Sequence, residues 1–334
     1  MLDSEQSLKW LMYFTQGYEK TWDISGTLDT KGYNDCLPEQ FFTIPLRGLV
    51  GYEKSQWCIE IRPKNSTPHH EYALLFFPGN QRHMFSSEMF PRAQQLANHL
   101  SANVYICDYR VYLRALTKNG TPDIQARLDP YFKRNVLEAS LVNVARDQSN
   151  IIQEIARQRG KHIILLAGHS MGALLAYSAY QYCKKAEYKN IGLFLTVGLF
   201  DFFVGVIDSI RQSLGVWLSY FFGFCKSIFQ NTGFQLTCDF DSICQDKNIT
   251  IFGFSNADDI VKSELSMNRR IQEYIKTKPG IDIRCSIKEI KREHGLDHVS
   301  LPEAMRDDRL SELEEIAKLW QRIIASRKYK RDQE

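Results

Sequence analysis

The sequence has no charge-free apolar run long enough to span a membrane. Its longest apolar stretch, residues 191–229, is broken by Asp201, Asp208, Arg211 and Lys226, whereas a spanning helix needs about 20 predominantly apolar residues. Residues 1–20 carry acids early and lack a basic start followed by an apolar block, so no cleavable signal peptide is read there. The eight cysteines, at 36, 58, 107, 183, 225, 238, 244 and 285, form no C-x-x-C pair. Cys107 and Cys183 fall in core elements, which suits reduced, small apolar side chains better than a disulfide frame. There is no metal-ligand cluster, no phosphate-cradling glycine loop and no basic–aromatic surface. A net charge of +3 is too small to argue for nucleic acid. These absences point to a cytoplasmic chain, with export by a route that needs no N-terminal signal left open.

What remains is an ordinary globular composition. Charged residues make up 24% and apolar ones 44% of the 334 residues, enough for a sizeable core and too apolar for disorder. Residues 1–40 read as an N-terminal arm with one helix over 5–18. Beyond it, strand-like and helix-like segments alternate. An opening pair of strands falls at 41–50 and 56–62, and a buried strand, Tyr72-Ala73-Leu74-Leu75-Phe76-Phe77, stops at Pro78-Gly79. A helix over 88–100 sets Phe90, Ala93, Leu96, Ala97 and Leu100 at helical spacing, and Asn103-Val104-Tyr105-Ile106-Cys107 follows as a strand. After a long helix over 136–158, further strands fall at 192–197, 249–254 and 283–290, with closing helices over 302–328. This alternation predicts an α/β fold: a mostly parallel, doubly wound sheet flanked by helices, with ligands at the strand C-terminal ends. The core takes residues 41–199 and 249–328, leaving 329–334 as a basic tail. The run Arg327-Lys328-Tyr329-Lys330-Arg331 reads first as a solvated helix end and second as a peripheral membrane contact.

One stretch breaks the alternation. Residues 200–248 are dense in large apolar groups, among them Phe200, Phe203, Trp217, Tyr220, Phe222 and Phe229. As a helical insertion this stretch would cap the active-site end of the sheet. Plain core packing explains some of these aromatics. Their density exceeds what one face of an amphipathic helix uses, so an apolar acyl or lipid-like binding surface stands beside that reading.

The most informative residues are Gly168-His169-Ser170-Met171-Gly172. The apolar run Ile163-Ile164-Leu165-Leu166-Ala167 precedes them, and Ala173-Leu174-Leu175-Ala176-Tyr177 begins a helix after them. Strand, G-x-S-x-G, helix is the context of a nucleophile elbow. A serine on so tight a turn needs neighbours without side chains, which Gly168 and Gly172 supply. The helix then aims amide N–H groups at negative charge formed beside Ser170. The competing reading is a glycine–serine turn without chemistry.

A serine hydroxyl is a weak nucleophile unless a histidine takes its proton and a carboxylate orients that histidine. Past the strand at 249–254 stand Asp258 and Asp259. Asp258 is the preferred acid, and either could instead cap the helix that starts near Val261. Past the last strand stand His294 and His298. His298, directly before the closing helix, is the preferred base; His294, nearer the strand end and before a glycine, competes with it. His169 lies inside the elbow, where packing is its ordinary use. Two backbone N–H donors must face the developing oxyanion: that of Met171, after the nucleophile, and that of Asn80, in the turn after Pro78-Gly79.

Together these segments resemble the α/β-hydrolase fold superfamily over about residues 40–325. The resemblance rests on Pro78-Gly79-Asn80, Asp108-Tyr109-Arg110, the elbow, Asp258-Asp259-Ile260-Val261 and the histidine loop at 295–301. The superfamily commonly has D-Y-R-G-Y-G where this chain has Asp108-Tyr109-Arg110-Val111-Tyr112. The missing glycines alter a loop and no catalytic group. The resemblance implies a serine esterase of lipase type, without cofactor, cleaving an ester or thioester through an acyl-enzyme. The aromatic cap favours a small-molecule acyl or lipid substrate. The alternative is a binding protein that keeps the fold without useful turnover. Neither reading names a protein partner.

Overall fold

Three strands are buried along nearly their whole length, and their sequences explain it. The computed structural model describes residues 40–45, 55–64, 67–68, 71–79, 89–107, 122, 141–161, 163–169, 171–188, 190–196, 239–246, 248–255, 273–274, 276–277, 285–289 and 312–331. The strands β1 (Phe41–Pro45), β2 (Ser55–Ile61), β3 (Tyr72–Phe77), β4 (Asn103–Cys107), β5 (Ile163–His169), β6 (Ile191–Thr196), β7 (Ile249–Ser255) and β8 (Cys285–Glu289) form one sheet. In β4 and β5 every residue is buried, and in β3 all but Tyr72 are. Continuous apolar runs of this kind belong to parallel strands covered on both faces.

The sheet order is β1-β2-β4-β3-β5-β6-β7-β8. β2 runs antiparallel to β1 and β4, and all other neighbours are parallel. Pro45 ends β1 at the sheet edge, where its missing N–H costs no ladder bond. The expected mostly parallel, doubly wound sheet is thus present. Only β2 runs against the direction of the other strands.

Helices α1 (Met89–Leu100), α2 (Leu141–Gln158), α3 (Met171–Lys185), α4 (Phe240–Gln245) and α5 (Glu312–Arg331) complete the described elements. From β3 the chain passes through α1 to β4 on one side. From β5 it passes through α3 to β6 on the other. Right-handed crossovers in opposite directions put α1 and α3 on opposite faces. α1 and α5 pack on the face formed by Leu74, Phe76, Val104, Ile106, Ile163 and Leu165, with the Trp320 ring edge-on to Tyr72 at 5.6 Å. α2 and α3 pack together on the other face, where alternation puts Leu75, Phe77, Leu166 and Gly168. Among the described residues no helix is long and apolar enough to cross a membrane.

The helix expected at 5–18 lies outside the described residues, as do 200–238 of the stretch read as a cap. The described end of that stretch packs along α3. Asp239 caps α4, accepting from the Ser242 hydroxyl at 2.7 Å, and its own N–H meets the Tyr177 hydroxyl at 3.3 Å. One helical turn and a half further along α3, the carboxylate of Asp246 accepts from Tyr180 at 2.8 Å, Lys184 at 2.7 Å and the Asn248 N–H at 3.0 Å. Burial pushes the Asp246 carboxyl up, but these three donors outweigh it and hold the group below its usual value. Burial, and then the Asp246 charge, push the Tyr180 hydroxyl up.

Because the folded carboxyl of Asp246 is held low, its stabilisation is complete above the unfolded value of about 3.9 and is lost as pH falls through the folded value. Asp246→Asn is expected to cost about 1–3 kcal/mol at pH 7, since it removes a charged acceptor from three donors. Denaturant titrations at pH 7 and pH 3 check this: the gap between variant and parent shrinks at the lower pH.

Candidate active site

The connections diverge on either side of the pair β3 and β5. An open α/β sheet offers its ligand crevice at such a point, outside the strand C-terminal ends. Phe77, the last residue of β3, stands in register with Gly168, the penultimate residue of β5. β5 extends through Gly168 and His169, two residues beyond the apolar run, and α3 begins at Met171. In sequence, a single position, 170, separates the end of β5 from the start of α3.

Two glycines make that junction. A Cβ on Gly168 would stand 2.5 Å from the Gly172 carbonyl oxygen and 2.7 Å from the Ala173 Cα. A Cβ on Gly172 would meet the carbonyl oxygens of Phe77 and Pro78, and the Phe77 carbonyl carbon at 2.8 Å. Every one of these obstacles is backbone, so no rotamer change relieves them. The first turn of α3 consequently rests on the end of its own strand and on the exit of β3 at once. Gly79, the next residue along that exit, is buried. Neither Gly168 nor Gly172 has positive φ; what they supply is space.

His169 is 6% exposed. By strand alternation it belongs to the α1/α5 face, opposite to Gly168 and α3. Met171 supplies the first residue of α3, so its backbone N–H belongs to the helix start, where four donors have no intrahelical partner. Among the described residues no group of three or more His, Cys, Asp or Glu could hold a metal ion.

Gly168, Met171 and Gly172 are thus brought together with Phe77, Pro78 and Gly79. Ser170, Asn80, Asp258, Asp259, His294 and His298, together with Asp108-Tyr109-Arg110, lie outside the described residues. The strand ends limit what the chain can reach. β7 ends at Ser255, three residues before Asp258, and β8 ends at Glu289, five before His294 and nine before His298. Three residues span at most ~10 Å, about the distance between β5 and β7, which are two strands apart. Five and nine residues span ~17 and ~30 Å, against ~14 Å from β8 to β5. Both histidines satisfy the length condition. The identity of the backbone against Gly172 was not readable from the motif, because nothing in a G-x-S-x-G sequence says which neighbouring chain passes over its last glycine.

No family model matches the chain, and no curated protein matches it in sequence. Solved structures do match its fold. An esterase of Pyrobaculum calidifontis is 16% identical, with 94% of this chain and 95% of that one covered at a TM-score of 0.52. An esterase of Pyrococcus furiosus is 15% identical, covering 84% and 90% at a TM-score of 0.51. A fungal esterase of Rhizomucor miehei is 12% identical, covering 84% of each chain at 0.52. At these identities the likeness is one of fold, and the chain has the α/β-hydrolase fold.

The junction yields a contrast between two glycines. Gly172→Ala forces a methyl group against backbone carbonyls and is expected to cost about 3 kcal/mol, the upper end of overpacking. Gly160, with φ +61° and nothing within 4 Å of a built Cβ, is limited by conformation alone, so Gly160→Ala is expected to cost about 1 kcal/mol. Gly160→Asn recovers part of that loss, because asparagine tolerates this conformation, whereas Gly172→Asn is no better than Gly172→Ala. Denaturation midpoints of the four variants measure the difference.

Proposed function

We propose that this chain is a serine hydrolase that cleaves a carboxylic ester or thioester of an acyl or lipid substrate. The observation that carries the reading is the contact of Gly172 with the backbone of Phe77 and Pro78. It brings the start of α3 and the exit of β3 to one point, with Ser170 next in sequence to both His169 and Met171. The likeness to folds of proteins named as esterases supports the same reading.

In the proposed mechanism the Ser170 hydroxyl attacks the carbonyl carbon while His298 takes its proton. Asp258 accepts from the imidazole, fixes its tautomer and stabilises the imidazolium. The carbonyl oxygen becomes an oxyanion that accepts from the N–H groups of Asn80 and Met171. Collapse expels the alcohol or thiol, protonated by His298, and leaves the acyl group on Ser170. Water, deprotonated by the same histidine, then releases the acid and restores the hydroxyl. Each step uses side chains and amides of the protein. The aromatic side chains within 200–248 would take up the acyl chain, and the basic run at 327–331 would bring the protein to an anionic lipid surface. The cytoplasm is the proposed site of action.

A fluorophosphonate probe is expected to label the protein at Ser170 alone, with labelling and ester turnover both lost in Ser170→Ala. His298→Ala is expected to lower kcat about a million-fold, as loss of a triad histidine does, and His294→Ala to leave it within a few-fold. Labelling or turnover that survives Ser170→Ala would sink the assignment of Ser170, and a parent protein inert toward every ester tried would leave a binding protein on a hydrolase scaffold.

The acyl pocket has its own test. With p-nitrophenyl esters from acetate to laurate, kcat/KM is expected to rise with chain length, since each buried methylene contributes about 0.8 kcal/mol. A flat series would refute the lipid preference and leave the hydrolase standing.

A further inference from the structure

We infer that Cys58 and Cys107 are a redox-active pair that closes to a disulfide when a small two-electron oxidant reaches it. The two residues face each other directly across the antiparallel pair β2 and β4. Their sulfurs stand 2.9 Å apart, and both thiols are free. Directly opposed residues of antiparallel strands have Cα atoms about 4.5 or 5.5 Å apart, and disulfides accept about 4.4–6.8 Å. Either pairing type meets that condition without backbone movement. A disulfide bond is about 2.05 Å long, so the sulfurs need to close by less than an ångström. Cys183 sits on α3 with its sulfur toward the Ser149 carbonyl at 3.9 Å.

The chemistry balances with a peroxide. One thiol, as thiolate, attacks a peroxide oxygen; the O–O bond breaks, water leaves, and a sulfenic acid remains. The neighbouring thiol attacks that sulfur, and a second water departs carrying the sulfenic oxygen. Both cysteines are oxidised by one electron each and the peroxide is reduced by two. The pair is 0% and 1% exposed. Burial, then the contact with Cys107, push the Cys58 thiol well above its ordinary range. Bulky thiol reagents are therefore excluded, and a small oxidant reacts slowly, through the little thiolate present.

The location gives the bond a consequence. Ile106 pairs with Phe76, and Phe77 with Gly168. Cys107 accordingly lies at the level of the elbow, two strands from β5, where the chain leaves β4 toward residues 108–110. Closing the pair fastens β2 to β4 at that level. The inference rests on the sulfur geometry and is independent of the proposed hydrolysis.

The test uses the full-length protein, fully reduced and then treated with hydrogen peroxide under native conditions. Remaining thiols are alkylated in denaturant, and the digest is read by mass spectrometry without reduction. The expected result is a peptide containing Cys58 joined to one containing Cys107, two hydrogens lighter than their sum and separated again by a phosphine reductant. Cys183 is expected to alkylate as before. Full alkylation of Cys58 and Cys107 after peroxide, overoxidation of either one without a link, or linkage of Cys58 to a different cysteine would each overturn the inference.

Discussion

The described part of this molecule depends on a place where no side chain fits. The first turn of α3 lies against the carbonyls that end β3, and only the missing Cβ of Gly172 allows it. With any larger residue the helix would lift from the sheet, and β3, β5 and α3 would no longer meet at one point. That meeting sets amide N–H groups of a helix start beside the crevice where the connections diverge. The backbone supplies the electrostatics there, and the glycines supply the access. Gly168, tucked beneath Gly172 and Ala173, holds the other side of the same junction.

Two hydrogen-bonded polar clusters, around Glu60 and Asp246, lie toward the opposite, strand-start end of the sheet. Glu60, 5% exposed, accepts from Asn103 at 2.5 Å, Tyr105 at 3.0 Å and Arg62 at 3.2 Å. Asn103 begins β4, and Lys161, whose ammonium is held low by burial against the pull of Glu60, directly precedes the start of β5. Asp246 sits just before β7 with three donors of its own. Buried polar groups of this kind are stabilising only when their partners are complete. The two ends of the sheet therefore differ in kind: one is locked by side-chain hydrogen bonds, the other is shaped by bare backbone.

Much of this was legible in the sequence, and for identifiable reasons. β4 is Asn103–Cys107 as its sequence states, because Val104-Tyr105-Ile106-Cys107 is a continuous run and the strand is buried throughout. β5 runs two residues past its apolar run, because Gly168 and His169, turn-like in sequence, are buried as strand. Asp246, in a stretch dominated by aromatics, carries no pattern that predicts three donors. The facing of Cys58 and Cys107 depends on strand register, and register arises between segments 49 positions apart (107 less 58). Of the elbow, the motif showed that glycines were needed and could not show that the exit of β3 was the reason. The proposed acid and histidine rest on order along the chain and on reach past β7 and β8, because both lie outside the described residues.

The edge-on contact of Trp320 with Tyr72 joins segments far apart in the chain, and this bears on how the protein is made. Synthesis delivers β3, β4 and β5 long before α5. Until α5 arrives, the sheet face of Leu74, Phe76, Ile163 and Leu165 has α1 as its only described cover from earlier in the chain. Contacts of such long range close late and slowly. Among the described elements, this face therefore waits for α5 while residues 170–311 are made, an interval in which chaperones that bind apolar surfaces would find it.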